Sequence, residues 1–146
     1  MINKKIKFSR KTPMFSIITV VLNGDKYLEE TIKSVISQSY KNFEYIVLDG
    51  GSTDNTINII KKYNNKITKW KSKKDKGIYD AFNKGMKLCK GNYICIVNSD
   101  DILKKRALEI VNKYIVKHPE LDFIFGSVKK HWGILHGYYP NKIKYS

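Results

Sequence analysis

The chain has 146 residues, which predicts one domain and, at that size, a core hiding roughly 68–70% of the unfolded surface. Hydrophobic residues at 42% and charged residues at 28% exclude wholesale disorder, and no apolar run reaches the ~18 residues that span a bilayer. Lys and Arg total 28 against 13 acids, a formal net charge of +15; such a field attracts polyanions (nucleic acid, acidic membrane surfaces, phosphorylated small molecules) without choosing among them.

Residues 1–14 read as a basic tail without the apolar centre of a secretory signal. Cys89 and Cys95 are too few for a disulfide scaffold and stand at no zinc or redox spacing, so both read as core. The first strong element is Phe15 to Leu22, apolar on both faces, the pattern of a buried strand in a parallel sheet. Asn23-Gly24-Asp25 ends it as a turn. Tyr27, Leu28, Ile32, Val35 and Ile36 then recur at helical spacing. Phe43 to Leu48 is a second buried strand, broken at Asp49-Gly50-Gly51. Ser52-Thr53-Asp54 supplies helix-start chemistry for a helix carrying Ile57, Ile59, Ile60 and Tyr63.

The alternation continues with a short strand from Ile67 to Trp70 and a lysine-rich stretch from Lys71 to Gly77. Ile78 to Leu88 reads as a helix with Ala81, Phe82 and Met86 on its buried side. Tyr93 to Val97 is a strand ended by Asn98-Ser99-Asp100-Asp101. Leu103 to Val116 reads as an amphipathic helix stopped before His118-Pro119. Phe123 to Val128 is predicted as a last strand, with Tyr93, Phe123 and Phe125 in the core. Strands alternating with helices predict an α/β, mostly parallel sheet flanked by helices.

In such a sheet all strand carboxyl ends lie at one edge, where ligands of open α/β folds bind. Asn23, Asp49 and Asp100 each follow a predicted strand, so topology alone gathers them around one cleft. Two adjacent carboxylates repel, and a hard cation relieves that: Mg²⁺ or Mn²⁺ binds through one or two carboxylates plus substrate phosphates. Gly50 and Gly51 let backbone approach a ligand closely. A metal-bridged nucleotide diphosphate fits this set, whereas the G-x-G-x-x-G and Walker patterns are absent from the sequence. Taken singly, each string also reads as a turn or a helix cap.

Four strings together are recognisable. Ser16 to Asn23, Asp49-Gly50-Gly51-Ser52-Thr53-Asp54, Asp75 to Gly85, and Asn98-Ser99-Asp100-Asp101 stand in order and spacing and resemble the family 2 glycosyltransferases of GT-A (Rossmann-like) fold, over roughly 15–128. The resemblance implies a nucleotide-sugar-binding domain at 15–128, with 129–146 opening an acceptor-side region that is truncated. It implies a nucleotide-diphosphate sugar donor held by Thr19, Asn23, Asp49, Asp80, Asn83 and Asp100. Asp100, with Asp101 beside it, would hold Mn²⁺ or Mg²⁺ against the diphosphate. An acceptor hydroxyl would attack the anomeric carbon with inversion, assisted by a carboxylate base further along the chain.

Three departures accompany that resemblance. No carboxylate follows Asp122, which leaves His131 and His136 as the near-neutral titratable groups of the tail. Asn98 stands where many members carry the first acid of D-x-D. Gly50 stands where a second acid is frequent, so base contacts rest on Asp49. The competing expectation is a non-catalytic nucleotide-sugar-binding fragment lacking a base. A basic nucleic-acid-binding domain is the weaker alternative, because the lysines are spread along the chain rather than gathered in a groove, and no specific nucleic-acid partner is expected. The expected acceptor is a glycan or lipid-linked hydroxyl, and the expected location cytoplasmic, with peripheral contact at an anionic membrane face.

Overall fold

A computed structural model describes residues 13–124, 126, 128–130 and 133–135. The chain divides into two compact units, Met1–Glu109 and Ile110–Ser146. The first is a four-stranded sheet in the order β3-β2-β1-β4, parallel throughout. Its strands are β1 (Phe15–Val21), β2 (Phe43–Asp49), β3 (Lys69–Ser72) and β4 (Tyr93–Ile96), alternating with α1 (Leu28–Ile36), α2 (Thr56–Lys62) and α3 (Ile78–Met86). Helix α4 (Ala107–Lys117) follows and crosses into the second unit, where β5 (Val128–Lys130) and β6 (Gly133–Leu135) form an antiparallel pair. The predicted α/β class and parallel sheet are the observed ones.

The two central strands explain why the sheet forms. Every residue of β1 is buried, and Ile17, Ile18, Ile46 and Val47 have no exposed surface. Complete burial of one such side chain contributes about 1.5–3 kcal/mol. On one face Ile18, Val20, Ile46 and Leu48 pack with Ala81 of α3, joined by Phe82, Leu88 and Cys89. Gly85 lets α3 approach closely: a Cβ there would stand 2.9 Å from Ile18 Cγ2. Met86, expected on the buried side, is exposed.

β1 and β2 run in register from Phe15↔Phe43 to Val21↔Asp49, so both end at one edge. Helix α1 buries Leu28, Thr31, Ile32, Ser34 and Val35, and its first-turn acids Glu29 and Glu30 suit the positive end of a helix. Glu29 also ties α1 to α2, accepting from Lys62 Nζ at 2.9 Å and Tyr63 Oη at 2.7 Å.

Several element boundaries differ from expectation for identifiable reasons. β3 starts at Lys69 because the Ile67 N–H still bonds back to Tyr63 O in the turn that closes α2. Helix α4 starts at Ala107 rather than Leu103. The Leu103 N–H donates to Ser34 Oγ, and the carbonyls of Leu103 and Lys104 accept from Gln38 Nε2, which ties this segment to the end of α1 and the residues after it. The predicted strand at Phe123–Val128 is not formed at 123, 124 or 126. Phe123 is exposed rather than core, and without a neighbouring strand its apolar β-formers have no ladder to join. β4 is half-buried at Tyr93 and Cys95 and exposed at Ile94 and Ile96. Cys89 and Cys95 are half-buried free thiols, and burial pushes the Cys95 thiol up to about 11. Phe125, His131 and His136 lie outside the described residues.

Candidate functional site

At the carboxyl edge of the sheet the turn after β1 is the hub. Asn23 has φ 51, in the left-handed region that Asn tolerates better than most residues. Its Oδ1 accepts from the Thr53 N–H at 2.9 Å, and its own N–H donates to Ser52 Oγ at 2.7 Å. The Gly24 and Asp25 N–H groups continue the seam to Thr56 Oγ1 at 2.9 Å and Asp54 Oδ2 at 3.1 Å. A Cβ on Gly24 would meet Val21 Cγ2 at 2.5 Å and lie 3.6 Å from Ser99 Oγ. The first turn therefore touches both the turn after β2 and the turn after β4. Three of the predicted strings meet in this way.

Asp49 closes β2, and its carboxylate is consumed by its own turn. Oδ2 accepts from the Gly51 N–H at 3.0 Å, the Ser52 N–H at 3.1 Å and Ser72 Oγ at 2.6 Å, while Oδ1 accepts from Ser52 Oγ. With Asp49 only 3% exposed, these bonds satisfy a buried charge and lock Gly51 at φ 92. Gly51 faces Lys74 backbone so closely that a Cβ would stand 3.3 Å from its nitrogen.

The turn after β4 is positioned by α1. Thr31 Oγ1 donates to Ser99 O at 2.9 Å, and Val97 N–H bonds Ile18 O at 3.0 Å. Asp101 is tied back to Asn98, whose Nδ2 donates to Asp101 Oδ2 at 2.9 Å. Asp100 is exposed, with no hydrogen bond or ion pair among the described residues. No group of three His, Cys, Asp or Glu side chains that could hold a metal occurs among the described residues. The pair Asp100 and Asp101 nevertheless suits a hard cation whose other ligands come from a diphosphate, because one carboxylate is free and solvated.

The remaining predicted donor residues separate. Thr19 has no exposed surface, and its Oγ1 accepts from Tyr45 Oη at 3.1 Å inside the core. Asp80 is engaged at the start of α3, accepting from the Lys76 N–H at 3.0 Å and pairing with Lys84 Nζ at 2.6 Å; the Lys84 ammonium and then the Lys76 amide hold its carboxyl below the usual range. Asn83 is exposed on α3.

A cleft of about 340 Å³ opens beside α3, floored by Leu48, Ala81 and Leu88 and lined by Lys71, Lys73, Lys84, Lys87, Asp49 and Asp75. Lys71, Lys73 and Lys87 have no ion pair among the described residues. Asp75 escaped the sequence reading although it opens the third string. Its Oδ1 accepts from the Gly77 N–H at 2.9 Å, with Gly77 at φ 111, a conformation that favours glycine. Thr31, Ser34 and Gln38 were missed as well. The signal for Thr31 and Ser34 was polar side chains sharing the buried face of α1 with Leu28, Ile32 and Val35.

Known proteins place this arrangement. The Glycosyl transferase family 2 matches residues 16–144. Glycosyltransferase GlyG of Streptococcus pneumoniae serotype 4 is 32% identical over 117 residues, covering 78% of this chain and 38% of GlyG. The crystal structure of S. aureus TarS 1-349 in complex with UDP-GlcNAc superimposes with TM-score 0.68 and 31% identity, over 72% of this chain and 32% of that one. Mannosyltransferase PcManGT from Pyrobaculum calidifontis, in complex with GDP-Man and Mn²⁺, shares the fold at TM-score 0.65 and 19% identity, over 73% of this chain and 33% of its own. The chain thus spans less than half the length of the relatives it matches. With its GT-A sheet and its strand-end turns, the chain belongs to glycosyl transferase family 2.

Proposed function

We propose that this chain carries the donor-binding part of a glycosyltransferase that moves a sugar from a nucleotide-diphosphate sugar to an acceptor hydroxyl. The observation that carries this reading is the joining of three strand-end turns, Asn23 bonded to Thr53 and Gly24 packed beside Ser99, next to a lysine-lined cleft with an apolar floor. An anionic ligand with a flat apolar part suits both halves of that cleft. TarS, at 31% identity, was crystallised with UDP-GlcNAc, which supports a uridine nucleotide as the first donor to try.

In this reading Asn23, Asp49 and Gly51 hold the shape of the donor floor, Asp80 and Asn83 stand on the helix beside it, and Asp100 faces the diphosphate with Asp101 behind it. A bound Mn²⁺ or Mg²⁺ would neutralise charge on the departing nucleotide diphosphate. Transfer is proposed to proceed with inversion to a glycan or lipid-linked hydroxyl. The net charge of +15 would favour a cytoplasmic protein at an anionic membrane face, and among the described residues no helix is long and apolar enough to cross a membrane.

Calorimetric titration of the chain with UDP, UDP-sugars and GDP-mannose, with and without Mn²⁺ at moderate salt, tests this. The expected result is metal-strengthened binding that Asp100→Ala reduces to the metal-free level. Absence of nucleotide binding in every condition would overturn the reading. Transfer or hydrolysis of a bound donor that Asp100→Ala abolishes would decide against a non-catalytic fragment.

A further inference from the structure

We propose that Asp75 is the acid that reads the donor's nucleoside, its Oδ2 accepting a hydrogen bond from a base N–H or a ribose O–H. This rests on the donor reading above and goes beyond it by assigning the polar contact to a residue outside the predicted set.

The first ground is elimination within the cleft. Two carboxylates line it, Asp49 and Asp75. Asp49 is buried, and both its oxygens are held by Gly51, Ser52 and Ser72. Turning it toward a ligand would release a buried charge from all of those partners at once. Asp75 is half-exposed, and Gly77 takes its Oδ1. Its Oδ2 has no partner among the described residues.

The second ground is the space over residue 50. A Cβ on Gly50 would stand 2.9 Å from Asp75 Oδ2 and 3.4 Å from its Cγ. The Asp75 carboxylate therefore fills the position where a side chain from residue 50 would start. Gly50 itself is held by its N–H to Val21 O at 2.9 Å, and it is not among the glycines of positive φ. The absent side chain is a vacancy that another element's acid occupies.

The third ground is charge. Four lysines line the same cleft, and a phosphate group belongs with them. A carboxylate repels phosphate, so the part of the ligand beside Asp75 must present a neutral N–H or O–H. Nucleoside diphosphates offer such donors from a ring N–H of uracil or guanine and from the ribose hydroxyls. The volume of about 340 Å³ falls in the range of small-ligand sites.

The test is calorimetric titration of the full chain with UDP, GDP and inorganic pyrophosphate, comparing wild type with Asp75→Asn. The expected result is a loss of roughly 10-fold or more in UDP affinity, the scale of a charge-assisted hydrogen bond, with pyrophosphate affinity unchanged or raised. That split separates recognition from a structural role, because a distorted loop would weaken both ligands. Asp75→Ser, which keeps an acceptor for the Gly77 N–H, serves if the amide variant fails to fold. The double variant Gly50→Asp with Asp75→Gly returns a carboxylate to the same space and should recover UDP affinity, while Gly50→Asp alone should weaken binding by crowding Asp75. CDP and 2′,3′-dideoxy-UDP assign the source: wild type losing affinity for CDP identifies the ring N–H, and losing it for the dideoxy nucleotide identifies the ribose. Equal UDP affinity in wild type and Asp75→Asn would overturn the proposal alone. Wild type binding neither UDP nor GDP would overturn the donor reading and this proposal with it.

Discussion

The pair Thr19 and Tyr45 separates a core role from a donor role most directly. Both side chains are essentially without exposed surface and meet through one hydrogen bond of 3.1 Å. Thr19→Val and Tyr45→Phe each strand one buried oxygen, which costs about 1–3 kcal/mol. Both changes nearly conserve volume, so the cavity contribution is small. The double variant removes both polar groups and should approach neutrality, giving a coupling of at least about 2 kcal/mol. Tyr45 adds a pH signature. Burial pushes its hydroxyl up to about 12 from 10.0 in the unfolded chain, against the lowering effect of the Thr19 bond. Because the unfolded chain loses this proton first, stability is fully present below pH 10 and falls as pH rises toward 12. A shift of that size corresponds to about 3 kcal/mol. Urea unfolding from pH 7 to 11.5 reads both effects, with Tyr45→Phe lacking the alkaline decline. Additive single-variant energies would refute the buried pair. Loss of UDP affinity in Thr19→Val at unchanged stability would return Thr19 to the donor site.

The Glu29 carboxyl is held down to about 2, chiefly by Lys62 and then by Tyr63 and Lys33. Its contribution is present above the unfolded value of 4.5 and is lost as pH falls toward 2, so Glu29→Gln should flatten the acid limb of a circular-dichroism titration over that window. Gly85→Ala gains up to about 1 kcal/mol of helix propensity, but its Cβ would press Ile18 at 2.9 Å and Leu48 at 3.2 Å. Overpacking of about 1–3 kcal/mol wins, and the melting temperature should fall by a few degrees. Gln38→Ala removes two donated bonds and one accepted bond from the 103–108 segment. It should cost about 2–3 kcal/mol in urea unfolding and weaken Mn²⁺-dependent UDP binding more than metal-free binding.

What could be read in advance follows from where the physics is local. β1 and β2 are continuous β-branched runs buried on both faces, and that pattern has few other uses, so their ends and the turns after them were legible to within a residue or two. The start of α4 was not, because Leu103 to Arg106 precede the helical ladder and are held there by Ser34 of α1 and by Gln38 just beyond it. The strand expected at Phe123–Val128 is not formed at 123, 124 or 126, although Val128 opens β5: β-propensity names a willing segment, and pairing needs a neighbour. Asn23 and Asp49 were found as strand-end residues, but their hydrogen bonds turn inward and bind turn to turn. Asp75 was hidden by the opposite effect, since its meaning comes from Gly50, 25 positions earlier in the chain.

Gln38 also works as a remote helix cap. The first N–H groups of a helix ordinarily look to a local side chain or to water, yet the Leu108 N–H at the start of α4 donates to Gln38 Oε1 across 70 residues of sequence. The first turn of α4 is therefore tied to a residue just beyond α1. Inserting or deleting one residue between Asp101 and Leu103 would rotate nothing downstream; it would instead strain the short link that carries Asp100. Hydrogen exchange at the Leu108 amide should be slow for a first-turn position, and it should track the opening of α1. The turn that carries Asp100 and the start of α4 are thus both tied to α1 and the residues just after it.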